Sequence, residues 1–425
     1  MPTVPLSPLT QPPAHDPGDE PRARRHRLAR NLALLSGFRM LQMAMFPVSI
    51  VTLYWRDELG FSMADTFAVQ AIFGLFAAAL ELPGGYVADR IGYRVSLLLA
   101  VAFSLGGWIG LAQAQGFAQV VAAEALLAAS LSLTSGTDAA LMYESLLELG
   151  RETEFARWYG RSRSLGAAAE GTAALCAGPL FAVAATLPFY AQAAAWAING
   201  ALALAMIEPA RSHGAPQTTG ERIRAIAHLA AVASPRLRAS LAPVLALSLS
   251  TFIPVWMFAV YAEDSGITPS WIGAVWAAAN YAVAIGMWWS DRAGAALGPV
   301  GALSACTAAI AVGYVGMGAT HASFGFVFYY AICLARGVNG PILSHIQQRL
   351  IPSSDRATLL SINSMLFRAT FFVLGPAIGA AIDGVGQHGV LLLCAAVLTA
   401  ISWVTLRWLS RVTLARSDDL PTPRE

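Results

Sequence analysis

The chain has 425 residues, of which 56% are hydrophobic and only 12% are charged, whereas about 25% of the residues of an ordinary soluble protein are charged. This composition argues against a soluble globular protein, and the net charge of +2 is too small for the dense positive surface by which proteins hold nucleic acid. All 27 basic residues are arginines, so the chain lacks the P-loop lysine that contacts ATP phosphates, and an ATP-driven pump would need a separate subunit.

Twelve apolar stretches are long enough to cross a bilayer, whose core of about 30 Å needs roughly 20 helical residues. The first six lie at residues 32–54, 67–87, 95–114, 120–141, 165–185 and 189–207. The other six lie at residues 241–262, 272–289, 300–317, 324–346, 359–382 and 390–409. These stretches do not alternate polar and apolar residues as membrane strands do. The sequence therefore predicts an all-α integral membrane protein with twelve transmembrane helices.

The arginines are distributed unevenly between the two sides of the predicted membrane. If the N-terminus is cytoplasmic, nearly all arginines outside the spans fall in inner segments, and only Arg56 lies in an outer loop. Cytoplasmic loops retain positive charge, and an even number of spans puts both ends on one side, so we predict that both termini are cytoplasmic. The first thirty residues lack the apolar core of a signal peptide, and we expect a tail there.

A polar stretch at residues 208–238, marked by Gly214, Pro216 and Gly220, divides the spans six and six. The expected divisions are a disordered cytoplasmic tail at 1–29, an N-terminal six-helix bundle at 30–207, a cytoplasmic linker at 208–238, a C-terminal six-helix bundle at 239–410 and a second cytoplasmic tail at 411–425. Within the linker, residues 221–233 could form an amphipathic helix on the membrane surface or a solvated linker helix.

The loop after the second span carries the sequence Gly85-Tyr86-Val87-Ala88-Asp89-Arg90-Ile91-Gly92-Tyr93-Arg94. It resembles the signature G-x-x-x-D-R-x-G-R/K-R/K of the major facilitator superfamily and departs from it once, at Tyr93. A related segment, Asp291-Arg292-Ala293-Gly294, follows the eighth span, the corresponding place in the second half. The resemblance implies the major facilitator fold, with two pseudo-symmetric six-helix bundles that rock about a central site and transport by alternating access.

The same resemblance implies a gate at the cytoplasmic side. The gating residues that it implies are Gly85, Asp89, Arg90, Gly92, Arg94, Asp291 and Arg292. Asp89 would meet the positive N-terminal end of the eleventh helix, near Thr358, and hold the two halves together. Arg90 and Arg94 would pair locally or contact lipid phosphate. The alternative for Asp89 is that it only caps its turn.

Three further segments resemble a bacterial subgroup of drug-efflux transporters, at residues 81–85, 135–146 and 356–358. This resemblance implies a multi-pass protein of the bacterial cytoplasmic (inner) membrane. Two motifs of proton-coupled exporters are incomplete. Ser132 stands where an arginine is usual, and only Gly178-Pro179 remains of the fifth-helix motif G-P-x-x-G-G.

Seven of the ionisable residues inside predicted spans are candidate functional residues, because a charge near the helix centre costs about 2.5 to 3.5 kcal/mol. They are Arg39, Glu81, Glu124, Asp138, Glu170, Arg336 and Arg368. Helical spacing puts Glu124 and Asp138 on one face of the fourth span, and it puts Asn339 beside Arg336 in the tenth. These residues are the candidates for the substrate and proton pathway.

Two interpretations of these charges remain open. In the first, Arg336 or Arg368 holds an anionic part of the substrate, while Glu170 or Glu124 exchanges a proton or pairs with a cationic part. In the second, the residues form Arg–carboxylate pairs that fix helix packing. Aromatic residues could line a cavity for an amphipathic ligand, or could serve packing alone; they are Trp256, Phe258, Tyr261, Trp276, Tyr281, Tyr329 and Tyr330.

The predicted function is secondary active transport, with proton-coupled efflux of a small amphipathic or drug-like solute. The alternative is export or import of a polar metabolite such as a siderophore or an organic anion, which three arginines in a common cavity would favour. We expect no enzyme and no catalytic residue, because neither H-E-x-x-H nor G-x-S-x-G occurs. The four cysteines form no Cys-x-x-Cys pair, so we expect no metal site. We also expect no cofactor, and a monomer.

Overall fold

Helices account for nearly all of the described chain. The computed structural model describes residues 19–210, 235–350 and 356–414, together with Gly220, Arg224 and His228, and these contain no β-strand. The N-terminal half, residues 19–210, contains α1 (Asp19–Met43), α2 (Val51–Leu59), α3 (Met63–Ile91), α4 (Tyr93–Gln113), α5 (Phe117–Thr134), α6 (Thr137–Leu149), α7 (Phe155–Val183) and α8 (Leu187–Ala205). The C-terminal half, residues 235–414, contains α9 (Pro235–Asp264), α10 (Pro269–Ala319), α11 (Phe326–Gln348) and α12 (Arg356–Leu414).

Eight helical segments of the described chain are long and apolar enough to cross a membrane. They coincide with α3, α4, α5 together with α6, α7, α9, α10, α11 and α12, and their mean hydropathy lies between 1.3 and 2.2. Helices of this length and composition are stable in a bilayer, because each one satisfies its own backbone hydrogen bonds. The prediction of an all-α, multi-pass membrane protein is therefore confirmed.

Two of these helices are too long for a single crossing. α10 has 51 residues and α12 has 59, which correspond to about 75 Å and about 90 Å at the helical rise of about 1.5 Å per residue. Each consists of two helices joined at a glycine with left-handed backbone angles, Gly298 with φ 69° and Gly386 with φ 78°. A residue with a side chain would be strained in that conformation. The two glycines lie in the predicted connections between spans eight and nine and between spans eleven and twelve.

Two predicted spans are interrupted where the sequence analysis expected continuous helices. In the first span, a segment containing Pro47 separates α1 from α2. In the fourth span, Gly136 adopts left-handed angles with φ 81° and separates α5 from α6. A regular helix cannot contain such a residue. Glu124 lies in α5 and Asp138 in α6, so the expectation that they share one face of one helix was wrong.

The helical region begins earlier than the predicted bundle. Residues 19–29, which we assigned to a disordered tail, form the start of α1. Arg24 explains this difference, because its Nε and Nη2 donate hydrogen bonds of 2.5 and 3.0 Å to the two carboxylate oxygens of Glu148 in α6. The hydrogen bond to Glu148 raises the pKa of Arg24, so the contact stays charged. This bidentate contact secures the N-terminal turns of α1 against the rest of the half.

Other predicted boundaries shift in the same direction. α9 begins at Pro235, inside the predicted linker, and α12 continues to Leu414, inside the predicted C-terminal tail. The predicted surface helix at residues 221–233 lies outside the described residues, apart from Arg224 and His228.

The two halves approach each other closely at one end of the bundle, where glycines take the place of larger residues. A Cβ atom on Gly178 of α7 would lie 2.5 Å from the carbonyl oxygen of Pro269, and one on Gly379 of α12 would lie 2.5 Å from that of Met63. These distances are far below van der Waals contact, so any larger residue would push the helices apart. We call this end the latched end and define it by Arg56, Met63, Glu263, Pro269 and Asp383.

Polar contacts also join the halves at the latched end. The Asp383 carboxylate accepts hydrogen bonds of 2.9 and 2.8 Å from the backbone N–H groups of Met63 and Ala64, and so caps the N-terminus of α3 from the other half. Arg56 forms an ion pair with Glu263. Two carboxylates of the C-terminal half therefore bind donors of the N-terminal half.

Candidate functional site

A cavity of about 430 Å³ lies between the two halves, and we call it the central cavity. Residues of the N-terminal half form most of its wall, and residues of α9 and α12 complete it. Its lining is largely apolar. The aromatic residues that line it are Phe73, Trp108, Trp196, Phe252, Trp256, Phe367 and Phe371. Such a cavity can enclose the apolar body of a small ligand.

Glu124 is a buried carboxylate in the wall of the central cavity. It is only 6% exposed, and among the described residues it has no hydrogen bond, no ion pair and no charged neighbour that acts on it. Trp256 lines the same cavity, and its Nε1 is buried without an acceptor. Leaving a charge buried without a partner is costly. The site can therefore hold a proton or a cationic group on Glu124.

Arg39 and Asp138 form an ion pair, with 3.6 Å between Nη1 and Oδ2, that joins α1 to α6 within the N-terminal half. Arg39 also donates a hydrogen bond of 3.3 Å to Gln42, which in turn donates one of 3.2 Å to Thr134. Gln42 and Thr134 line the central cavity, whereas Arg39 and Asp138 line neither cavity described here. For this pair the structure supports the interpretation as a packing contact.

Arg368 reaches across the halves to a carboxylate. Its Nη1 lies 3.5 Å from Oε2 of Glu81 in α3, and Ser361 donates a hydrogen bond of 3.5 Å to the other oxygen of the same carboxylate. Arg368 also lines the central cavity. Its charge is therefore partly neutralised by the protein itself.

A second cavity, of about 490 Å³, lies mainly within the C-terminal half, and we call it the C-terminal cavity. Arg336, Asn339 and Gly340 of α11 line it. Phe252 and Phe367 line both cavities and pack edge to face with their ring centroids 5.1 Å apart. The two cavities therefore adjoin each other at this aromatic pair.

Glu170 of α7 and Arg336 of α11 act on each other electrostatically across the halves. They do not form an ion pair or a hydrogen bond in the part of the chain that the structure describes. Glu170 lines neither cavity. Glu124 and Arg368 thus line the central cavity, and Arg336 and Asn339 line the C-terminal cavity. Glu170 lies in α7, in the other half of the chain from Arg336.

The predicted gating loop connects α3 to α4 and is bound to the end of α8. Gly92 has φ 110°, and the carboxylate of Glu208 accepts hydrogen bonds of 2.7 and 2.8 Å from the backbone N–H groups of Tyr93 and Arg94. The Arg94 side chain donates to the backbone oxygens of Ala203 and Leu204. Arg94 thus contacts the C-terminal end of α8 within its own half, and its role in gating stays a prediction.

The remaining gating residues make few contacts. Arg90 donates a hydrogen bond of 2.9 Å to Tyr86, one turn earlier in the same helix. In the second half, Asp291 is exposed, and Arg292 lies over the ring of Trp289 at 5.3 Å. Gly85 lies within α3. The side chain of Asp89 lies outside the described part of the chain, so the predicted latch near Thr358 stays a prediction.

Sequence reasoning identified few of the aromatic residues of the site. Of those proposed for a cavity, Trp256 lines the central cavity, whereas Phe258, Tyr261 and Tyr329 belong to the hydrophobic core. The pairs 252 with 256 and 367 with 371 are each spaced by one helical turn, and this spacing was the available signal. In the part of the chain that the structure describes, no three histidine, cysteine or acidic residues are grouped as a metal site.

Membrane-crossing helices that enclose a cavity between two halves, with single charged residues in its wall, define a membrane transporter. The sequence profile of the Major Facilitator Superfamily matches residues 32–367. The chain belongs to this family, as the resemblance of residues 85–94 implied.

Solved transporter structures share this fold. The nucleoside transporter NupG is 14% identical, with a TM-score of 0.73 over 90% of this chain and 98% of that chain. The POT family transporter PepTSo is 11% identical, with a TM-score of 0.70 over 91% of this chain and 98% of that chain. An auto-inhibited POT family peptide transporter is 12% identical, with a TM-score of 0.69 and coverage of 90% and 97%. At these identities the likeness concerns the fold alone. Among curated proteins, no sequence matches this chain.

Proposed function

We propose that this transporter exports a small amphipathic, drug-like solute in exchange for protons. The observation that carries the proposal is Glu124, a buried carboxylate in the wall of the central cavity that has no partner among the described residues. In a membrane interior such a group must be neutralised. A proton and a cationic group of the solute cannot occupy it together, so arrival of one displaces the other, and this competition couples export to proton entry.

The lining of the central cavity fits an amphipathic solute. Aromatic rings surround the cavity, and aromatic side chains bind flat apolar groups and attract cations through their faces. Trp256 adds an indole N–H that has no acceptor in the protein. The site thus offers a large apolar surface and a small number of polar groups, as ligand pockets generally do.

We further propose twelve crossings arranged as two six-helix bundles, at residues 30–207 and 239–410. In this assignment α1 with α2 and α5 with α6 form one crossing each, α10 and α12 form two each, and every other helix forms one.

The arginine distribution supports cytoplasmic termini and an inner-membrane location. With that orientation the latched end is extracytoplasmic, which suits a state that loads solute from the cytoplasm. The loop at Gly85 to Arg94 would then close the cytoplasmic side in the opposite state.

A proton-flux assay in proteoliposomes tests the proposal. A pH-sensitive dye inside the vesicles reports protons that move when an amphipathic aromatic cation such as ethidium is added. We expect flux with the native protein, loss of flux to background with Glu124→Gln, and full flux with Glu152→Gln, which changes an exposed carboxylate outside the cavities. Equal flux with Glu124→Gln, or no flux with any member of a panel of drugs and organic acids, would contradict the proposal.

The alternative function, export or import of a polar metabolite, would be favoured if three arginines lined one cavity. Arg368 lines the central cavity, Arg336 lines the C-terminal cavity and Arg39 lines neither. Arg39 and Arg368 are also paired with carboxylates. This arrangement does not favour a solute with several negative charges, such as a siderophore.

A further inference from the structure

The C-terminal cavity differs chemically from the central cavity. Among the described residues that line it, Arg336 carries the sole charge, and none is acidic. Ser248 and Ser364 add hydroxyl groups to the wall, and Asn339 and Asn363 add amides. A guanidinium that faces a cavity without an acidic group favours a negatively charged guest, and it binds carboxylates well because its N–H groups form a planar fork.

Arg336 and Asn339 are not engaged by the protein. Arg336 is exposed to the cavity and has no hydrogen bond or ion pair within the described chain, and Glu170 acts on it only from a distance. Asn339 is 6% exposed, and its Nδ2 has no acceptor. Asn363 provides a contrast, because its amide exchanges hydrogen bonds of 3.2 and 2.7 Å with the amide of Gln347. Among the guanidinium and amide donors of the cavity in the described chain, those without a hydrogen-bond partner are therefore on α11.

The two unengaged residues lie three positions apart in α11, so they are neighbours on one face of the helix. Residues at this spacing can bind the same small group. A buried donor without an acceptor is unfavourable, and a ligand oxygen would remove this penalty while it neutralised the guanidinium.

The position of the aromatic pair connects this cavity to the central one. Phe252 and Phe367 line both cavities. A ligand that packs its aromatic body against them extends from the cavity that Glu124 lines into the cavity that Arg336 lines. Glu124 and Arg336 are of opposite sign and have no ion-pair partner among the described residues, whereas Arg368, the other charged residue of the central cavity, is paired with Glu81.

We propose that the C-terminal cavity is an oxyanion subsite and that the transported solute carries a carboxylate held by Arg336 and Asn339. The proposal rests on the proposed function, because it names the class of solute. That class is small aromatic zwitterions, whose carboxylate binds Arg336 and Asn339 and whose amine reaches Glu124.

Three probes that share an indole ring test this subsite. Tryptamine carries only the amine, indole-3-propionate only the carboxylate, and tryptophan both. Binding to the purified full chain in detergent is measured as a shift in melting temperature with a thiol-reactive dye, for which the buried Cys306, Cys333 and Cys394 report unfolding. We expect both carboxylate probes to raise the melting temperature of the native protein.

Variants assign the effect to its residues. Arg336→Gln should raise the half-saturating concentration of indole-3-propionate about tenfold or more, equivalent to about 1.4 kcal/mol, and leave that of tryptamine unchanged. Glu124→Gln should raise the half-saturating concentration of tryptamine and leave that of indole-3-propionate unchanged. Gly340→Leu should block the carboxylate probes by filling the cavity, because a Cβ atom there meets no atom within 4 Å. Gly160→Leu, at an equally open helical glycine outside both cavities, is its control.

The outcomes separate the subsite from the proposed function. If neither carboxylate probe shifts the melting temperature, or if Arg336→Gln and Gly340→Leu both bind indole-3-propionate as the native protein does, the oxyanion subsite is refuted. The melting-temperature shift with tryptamine and the proton flux that depends on Glu124 are measured independently of that result. If the native protein shows neither of these but still binds indole-3-propionate, the proposed function alone is refuted.

Discussion

The guanidinium of Arg368 lies 3.5 Å from the carboxylate of Glu81, in the other half of the chain. The side chains are 24% and 29% exposed, so the pair is partly shielded from solvent and links α12 to α3 beside the central cavity. The contact must break if the halves separate on this side during transport. Arg368 thus acts between the halves, and Arg336 is left as the arginine available to a solute.

Removing one partner of this pair should destabilise the protein more than removing both. Arg368→Met leaves Glu81 without its cation, and Glu81→Leu leaves Arg368 without its anion, whereas the double variant leaves no charge behind. We expect a coupling energy between about 0.5 and 3 kcal/mol in a double-mutant cycle of unfolding stability. Simple additivity of the two single variants would show that the groups do not interact.

The Asp383 carboxylate should control opening of the latched end. Asp383→Ala removes the two hydrogen bonds to Met63 and Ala64, and loss of a helix cap costs about 0.5 to 2 kcal/mol. We expect the ratio of open to closed molecules at that end to rise between about twofold and about thirtyfold. Spin labels on cysteines at Glu58 and Thr268, one in each half, would report a longer distance.

Asp65→Ala is the matched control for that experiment. Asp65 accepts a hydrogen bond from Ser62 and belongs to the capping box of the same helix, but its contacts stay within the N-terminal half. We expect a similar loss of unfolding stability with no change in the label distance. Equal effects of Asp383→Ala and Asp65→Ala on the distance would contradict a latch between the halves.

Gly379 and Gly384 offer a second comparison within α12. A Cβ atom on Gly379 would lie 2.5 Å from the Met63 carbonyl oxygen, whereas one on Gly384 meets no atom within 4 Å. Gly379→Ala should therefore prevent closure of the latched end and reduce transport about tenfold or more, since the overlap is with backbone that cannot move aside. Gly384→Ala should transport normally and gain roughly 0.5 to 1 kcal/mol in stability. If the latched end of Gly379→Ala closes normally, α12 and α3 can make room for the added methyl group without loss of closure, and the prediction is wrong.

The start of α1 should depend on Arg24. Arg24→Ala removes the bidentate contact with Glu148. Exposed ion pairs of good geometry contribute about 1 kcal/mol or less to stability. Hydrogen exchange of residues 23–28, the first with intrahelical hydrogen bonds, should then become up to about fivefold faster. Arg25→Ala, which removes an exposed arginine next in the chain, should leave exchange unchanged. Identical exchange in both variants would mean that helical propensity alone forms these turns.

Much of the fold follows from local sequence. The long apolar stretches predicted membrane helices, and the connections near Gly298 and Gly386 were anticipated from polar and glycine-containing gaps. The interruption at Gly136 was not anticipated, because a glycine within an apolar stretch is common in membrane helices. The helical start at residue 19 was also missed, since it depends on a contact between Arg24 and a residue far along the chain.

The candidate site was only partly predictable for a related reason. The sequence identified Glu124, Arg336, Asn339 and Arg368 as polar residues in apolar surroundings. It did not show that Arg368 would meet Glu81, because neither residue carries information about the neighbouring helix. Contacts between helices that are distant in sequence depend on rotation and depth, which spacing along one helix leaves open.

By itself, the sequence determined that this chain is an α-helical membrane protein and that the major facilitator signature joins α3 to α4. Each of these properties acts on one segment at a time, through hydropathy or a short motif. Only the tertiary structure decided which buried charges are neutralised by the protein and which remain for a ligand. Pairing needs atoms from different helices within a few ångströms, and that proximity is created by folding.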